Sequence, residues 1–447
     1  MDVLIFGGGA AGLWLLDELV SRGYSVVLLE RDALGAGQTV ASQGIIHGGI
    51  KYTLSGALTG SARAIREMPE RWRECMAGRG LPRLGNTRVL SECCYLWRTE
   101  SLKSKMGMVG ARVGLRSGVT HVEREQRPAP LRDVVGPIFR VEEQVIDVMS
   151  FLADLSAPHR TRLLRIGDGV EVDFTLSRPG RVSQVALRHH DTNVEVAHSP
   201  VRKQPRPTGK SVPQGLDQAP PQPCSHQVPG SRSKVEGGRC PRSPAPLAFS
   251  PRHVVFAAGA GNHELRQRVQ FATDAMQRRP LHMILARGDL PRLYGHCVDG
   301  ARTRVTVTTA VDAKDRSVWH IGGKIAEDGV DMSAAELIAR AKGELRAVLP
   351  GVNLDGIEWA TYRIDRAEGR TAAGSRPEGP TVLYEDNVIT AWPTKLALVP
   401  DLARRIAGRL APPSFGDGPA LHEQALAGWA RPEIANPPWE AVDQWRE

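Results

Sequence analysis

Three glycines near the start of the chain, Gly7, Gly9 and Gly12, have the spacing Gly-x-Gly-x-x-Gly. Between a strand and a helix that spacing does defined chemistry. Gly7 permits a tight turn, Gly9 lets backbone approach a pyrophosphate, and Gly12 lets the helix pack against the strand with its N-terminus facing the phosphates. Glu30 lies eighteen residues past Gly12. A carboxylate there accepts hydrogen bonds from ribose hydroxyls and repels a 2′-phosphate, which disfavours NADP. A second chemical stretch is "ASQGIIHGGIKY", residues 41–52. Gly48 and Gly49 weaken helix and strand alike, so they imply that something comes close to bare backbone. His47 precedes them, and an imidazole is suited to taking a proton near neutral pH.

These residues need elements to hold them. "DVLIF" is a short apolar run fit for a buried parallel strand, and "SVVLLE", ending in Glu30, is a second one. Between them Leu13, Leu15, Leu16, Leu19 and Val20 make the apolar face of a helix that Gly23 stops. Residues 63–80 have a helical pattern with Pro69 at a start or kink. "VEVDFTL", "GRVSQVAL" and "NVEVA" alternate as strands do, with a turn at Pro179-Gly180. "RHVVFAAGAGN" reads as a buried strand ending in a glycine turn. Residues 301–325 are two strands joined by an Asp-rich turn, 333–348 a helix, and "NVITAWPTKLALVPDLARRIAGRL" a strand, a turn and a helix. Beyond Ala411 a proline-rich tail carries Trp429, Trp439 and Trp445, apolar enough to pin it to the body.

With 447 residues, 41% hydrophobic and 24% charged, the chain can build two or three domains. Six scattered cysteines lack zinc or CxxC spacing and read as reduced thiols. The apolar N-terminus lacks a basic leader and is broken by glycines, and no apolar run approaches a membrane span of roughly 20 residues. A cytoplasmic protein is expected, peripheral contact with the inner membrane face remaining compatible. Residues 199–250 hold eleven prolines and +6 of the net charge of +9. They are expected to be a disordered insertion. The remaining body is not basic enough to suggest nucleic-acid binding.

The run "RDALGAGQTVASQGIIHGGIKYTL" after Glu30 resembles the flavin-dependent D-amino-acid-oxidase superfamily, in its glycerol-3-phosphate-dehydrogenase and L-2-hydroxyglutarate-oxidase branches. "VVFAAGAGN" is similar to that family's second glycine turn, and "WPTKLALVPDLARRI" to its closing flavin loop and helix. The resemblance implies FAD. It places Gly7, Gly9, Gly12, Glu30, Arg31 and Ser42 at the adenosine and pyrophosphate, and gives adenine the backbone of Val172. It brings Gly48, Gly49, Ala258, Gly259, Thr394, Lys395 and Leu396 to the flavin, with a helix N-terminus at Lys395 facing its N1–C2=O edge. Arg363 matches an arginine over the flavin, fit to fork onto an anion, with Arg366 as its alternative. Tyr52 or Tyr362 is a substrate contact or a packing residue. His47 stands open between base, point of covalent flavin attachment and structural histidine, with His282 and His296 as further base candidates. Two departures bear on the branch. The chain stops soon after the flavin helix, and "AWPTKL" replaces a Gly-Gly before the lysine.

The expected architecture is α/β, a Rossmann-like FAD-binding domain with a second mixed, largely antiparallel β-sheet substrate domain. The FAD-binding domain takes residues 1–75, 146–271 and 370–410; the substrate domain takes 76–145 and 272–369, and 411–447 is a tail. The expected activity is oxidation of a small anionic substrate, a 2-hydroxy acid first, by hydride transfer to flavin N5. Electrons leave to oxygen, a quinone or a carrier protein. An amino-acid or N-methyl amine oxidase is the alternative. A flavin-dependent RNA-modifying enzyme, supported only by the basic insertion, and a non-catalytic flavoprotein stand as other classes. No metal is expected, and nucleic acid is not an expected partner.

Overall fold

The computed structural model describes residues 1–48, 65, 67–98, 118–189, 244–299, 302–414 and 423–447. Gly49, Lys51, Tyr52 and most of the proline-rich insertion lie outside the described residues.

Val3–Phe6 forms the centre of a six-stranded sheet in the order 381–385, 388–392, 253–256, 3–6, 26–30, 163–165. Its pairings are parallel except between the first two strands. Val3, Leu4 and Ile5 are fully buried, as a strand covered on both faces requires. The helix Ala10–Ser21 covers one face, with Trp14 against Trp72 at 4.8 Å between ring centroids. The helix Val399–Ala407 packs beside it. Each fully buried Leu or Val in this layer contributes about 1.5–3 kcal/mol. The other face carries a small antiparallel sheet of Val170–Arg178, Arg181–His189 and Leu247–Phe249. That third strand corrects the expectation that disorder runs to residue 250. Leu247 and Phe249 face Leu187 and Val185 across the ladder, enough apolar surface to hold the segment.

The second layer is an eight-stranded sheet in the order 358–369, 276–288, 317–322, 302–311, 295–299, 94–97, 138–141, 119–122. It is antiparallel apart from the pairing of 295–299 with 94–97. The helix Ala334–Val348, started by a Ser333–Glu336 capping box, covers it. The tail is pinned at several points. Trp429 is buried, Ile434 bridges to Leu34, Arg446 pairs with Trp359, and Arg287 lies 3.8 Å over the Trp445 ring.

Candidate functional site

Four local structures converge between the sheets. The first is the turn after Val3–Phe6. Gly7 has φ +107°, and a Cβ there would lie 2.6 Å from the Ala258 Cα. A Cβ on Gly12 would lie 1.9 Å from the Gly7 carbonyl oxygen, so helix and strand meet with no room for a side chain. The second is the turn after His253–Phe256, where Asn262 Oδ1 accepts from the Ala258 N–H at 2.8 Å.

The third is the glycine-rich segment. Ile46 N–H donates to Gln144 O at 2.8 Å and Ile146 N–H to Gly44 O at 2.9 Å. Residues 44–48 are thereby stitched alongside 143–146. Gly44, at φ +67°, is where this approach forbids a side chain, since a Cβ would sit 2.2 Å from Ile146 O. The fourth is the loop after Val388–Trp392. Here Thr394 adopts φ +65°, and Lys395 leads a 3-10 turn, Leu396–Leu398. The α-helix starts only at Val399, four residues beyond the expected start, with Pro400 in its first turn.

Together these structures line a cavity of about 1750 Å³, larger than the roughly 300–1,000 Å³ of ordinary small-molecule sites. Gly7, Gly9, Glu30, Arg31, Ser42 and Val172 line it, as do Ala258, Gly259, Thr394, Lys395 and Leu396. His47 and Arg363 are also in its wall. Gly12 is not; it serves the strand–helix contact. Gly48 is not either, and its N–H donates to Glu143 Oε1 at 2.9 Å. Tyr362 is behind the wall, its hydroxyl 2.5 Å from His320 Nε2 and donating to Ala41 O at 3.3 Å. His282 is buried between Gly329 O and Thr361 Oγ1, away from the cavity.

The wall fits an extended dinucleotide. Ser42 Oγ is buried with no hydrogen-bond partner among the described residues. Gly9 leaves bare backbone beside Thr39 Oγ1. The Glu30 carboxylate already accepts from Gly8 N–H at 2.5 Å and Asp32 N–H at 3.0 Å. Burial pushes the Glu30 carboxyl up from its ordinary range, against the pull of those two N–H groups. The Val172 carbonyl carries the Arg268 guanidinium.

At the eight-stranded sheet the wall becomes polar. His47 Nδ1 is 3.1 Å from Glu143 Oε2, and Glu143 is 1% exposed. The His296 ring lies 5.7 Å from the His47 ring, with its Nδ1 2.8 Å from Thr306 Oγ1. Arg363 is exposed and already forked onto the carbonyls of Val330 and Met332. Arg366 is half-buried and holds Glu327 Oε1 through both terminal nitrogens at 3.1 Å. Lys324, Lys395, Arg268 and Arg376 are further cations in the lining. The sequence reading missed Glu143, Gln43 and Thr306. Glu143 is 96 residues from His47 and belongs to no spaced motif, so only the fold brings it into contact.

Residues 2–198 match the family of FAD dependent oxidoreductases (DAO). "Probable FAD-dependent oxidoreductase PA4991" of Pseudomonas aeruginosa is 37% identical over 446 residues, covering 99% of this chain and 98% of its own length. The crystal structure of that protein superposes with a TM-score of 0.71 at 32% identity, covering 98% of this chain and 97% of the other. Mitochondrial glycerol-3-phosphate dehydrogenase SDP6 of Arabidopsis thaliana is 42% identical over 52 residues only, 12% of this chain and 8% of its own. A reduced, FAD-bound L-alpha-glycerophosphate oxidase of Mycoplasma pneumoniae shares the fold at 12% identity, with a TM-score of 0.57 and coverage of 98% and 97%. Among the described residues no helix is long and apolar enough to cross a membrane. The long match, with the glycine turns and the cavity they open, makes this chain a member of the DAO family of FAD-dependent oxidoreductases, an enzyme that works with FAD.

Proposed function

We propose that the enzyme oxidises a small organic anion, a 2-hydroxy acid in the first place, with His47 receiving the hydroxyl proton. The observation that carries this reading is the position of His47. Its Nδ1 is held by a buried carboxylate, and it sits in a wall that also presents Arg366, Lys324 and Lys395. FAD, when bound, takes up the two electrons of the substrate C–H bond. The chain's own residues do the rest. Gly7, Gly9 and the start of Ala10–Ser21 receive the pyrophosphate, Ser42 adds a hydroxyl to it, and Glu30 and Arg31 attend the ribose. Val172 gives its backbone to the adenine. Ala258, Gly259 and Thr394–Leu396 border the isoalloxazine.

Cations beside the cavity hold the substrate's charge and orient it, a contribution made before any bond changes. Arg366 is better placed than Arg363. It is half-buried and paired to a side-chain carboxylate that an incoming anion can displace, whereas Arg363 is exposed and engaged by two backbone carbonyls. His47 Nε2 then accepts the proton, and the Glu143 charge offsets the imidazolium that results. The local match to glycerol-3-phosphate dehydrogenases, named for a hydroxyl-bearing anion, supports a hydroxy compound over an amine.

The test is anaerobic titration of the FAD-loaded protein with panels of hydroxy acids, hydroxy phosphates, amino acids and N-methyl amines, following loss of flavin absorbance. Bleaching by a hydroxylated anion is expected. Bleaching confined to the amines would replace this reading with amine oxidation, and an unchanged spectrum across every anion would overturn it.

A further inference from the structure

In the proposed binding mode of FAD, adenine comes to the backbone of Val172. The carbonyl of that residue already accepts from the Arg268 guanidinium. We propose, resting on that placement of FAD, that Arg268 is an adenine-binding residue: its planar guanidinium stacks on the base, and the site reads the face of a purine and not its edge. Val172 then serves the base through Arg268, by holding the plane in position.

The fold sets Arg268 firmly. It ends the helix Asn262–Arg268, which starts from the second glycine turn. The next residue, Val269, is fully buried. Its N–H donates to Arg266 O at 3.2 Å, and its carbonyl accepts from Gly180 N–H at 3.1 Å. The Arg268 side chain meets the strand Val170–Arg178, where Val172 and Phe174, two residues apart, share one face. The Val172 carbonyl holds the guanidinium, and the Phe174 ring lies under it, 5.1 Å from Cζ to ring centroid. Phe174 in turn stacks on Phe6 at 5.4 Å, so this aromatic support belongs to the core. One face of the guanidinium is backed by a ring. Arg268 also lines the cavity, which gives its opposite face to a ligand.

Position and chemistry identify that ligand. Ile166 N–H donates to Glu30 O at 2.8 Å, so this part of the wall runs beside the carboxylate that attends the ribose. The base carried by that ribose falls here. Asp168 and Glu264 share this end of the cavity with Arg268. Their carboxylates repel a phosphate and tolerate a neutral ring. Ile166, Val170 and Leu265 add an apolar border, packed against the same core cluster as Phe174. A cation held flat in an apolar wall attracts an aromatic face, and arginine, being planar, stacks on it. Every base offers such a face, whereas the edges of adenine and guanine differ in their donors and acceptors. A carbonyl reserved for the adenine amino group discriminates between them. A carbonyl spent on Arg268 gives that discrimination up.

The experiment uses the full-length, deflavinated protein and follows flavin fluorescence as FAD, or its guanine counterpart, is titrated in. Wild type is expected to bind the two within about 10-fold of each other. A larger preference for adenine would show edge recognition and overturn the proposal, with no variant needed. Arg268→Met should weaken FAD by about 10-fold. Arg268→Lys keeps the charge but loses the plane, and should weaken FAD as much. Wild-type affinity in Arg268→Lys would trace the effect to charge alone and overturn the proposal. Glu30→Gln separates the proposal from the placement on which it rests. Unchanged affinity in Arg268→Met beside weakened affinity in Glu30→Gln would remove Arg268 and leave the adenosine in place. Unchanged affinity in both would remove the placement as well. Melts of the cofactor-free proteins check that each variant folds. No substrate enters these measurements, so oxidation of an anion is tested separately by its own titration.

Discussion

The side-chain amide of Gln43 donates to the carbonyl of His320 at 2.7 Å and reaches that of Thr306 at 3.3 Å. One residue of the glycine-rich segment is thereby fastened to two adjacent strands of the eight-stranded sheet. Opposite it stands Gly322, where a Cβ would come within 3.0 Å of Gln43 Oε1. Gln43→Leu removes both donors and should cost about 1–3 kcal/mol. A lower midpoint in thermal melts, with or without added FAD, is expected. An unchanged midpoint would show that the fold does not depend on this clasp.

Two glycines separate packing from cofactor approach. Gly12→Ala places a Cβ 1.9 Å from the Gly7 carbonyl and should force helix and strand apart, giving little folded protein. Gly48→Ala meets only Pro69 at 3.4 Å and Glu143 at 4.0 Å, ordinary contact distances among the described residues. Its melting midpoint without cofactor should stay near wild type. FAD content in the purified variant then reads whether the cofactor uses the bare backbone.

Ser42 offers a cleaner probe of the pyrophosphate. Among the described residues its hydroxyl is buried without a partner, which costs stability until a ligand supplies one. Ser42→Ala should leave the cofactor-free protein as stable as wild type or slightly more so, while weakening FAD about 10-fold. Titration of FAD into deflavinated protein, with melts alongside, checks both halves. Equal FAD affinity would remove Ser42 from the binding set.

Arg363 and Arg366 divide the anion reading. For an acid that bleaches the flavin, Arg366→Met should raise KM by 10-fold or more, the loss of a charge-assisted contact. Arg363→Met should change it much less, because the guanidinium already serves Val330 and Met332. The reverse order in steady-state kinetics would return the clamp to Arg363.

Gly7, Gly9, Gly12 and Glu30 were legible because strand, turn and helix leave a local signature at fixed spacing. The same locality located "VVFAAGAGN" and the loop at Thr394–Leu396. The contacts that carry the candidate chemistry are not local. Glu143 meets His47 across 96 residues, and Gln43 meets His320 across 277. A lone glutamate after a strand has no spacing to mark it, and an arginine at the right place, Arg363, gave no warning that its guanidinium is engaged by backbone. Leu247–Phe249 hid within proline-rich surroundings because three residues are too few for an alternation to show.

His320 gives a prediction that needs no substrate. It is buried, its Nε2 faces the Tyr362 hydroxyl, and burial pushes the imidazole down from the ordinary 6.5 to about 4. The folded protein therefore keeps His320 neutral where the unfolded chain takes up a proton. Its contribution is fully present above about pH 6.5 and is lost as pH falls toward 4, because only the unfolded state gains protons in that window. The depression corresponds to about 3 kcal/mol. Denaturant unfolding at a series of pH values between 7 and 4.5 should show stability falling for wild type. His320→Gln loses the Tyr362 contact at pH 7 but cannot titrate, so its stability should fall less steeply across the same range. Parallel slopes would mean that His320 is already protonated in the folded protein and that Tyr362 serves it as an acceptor.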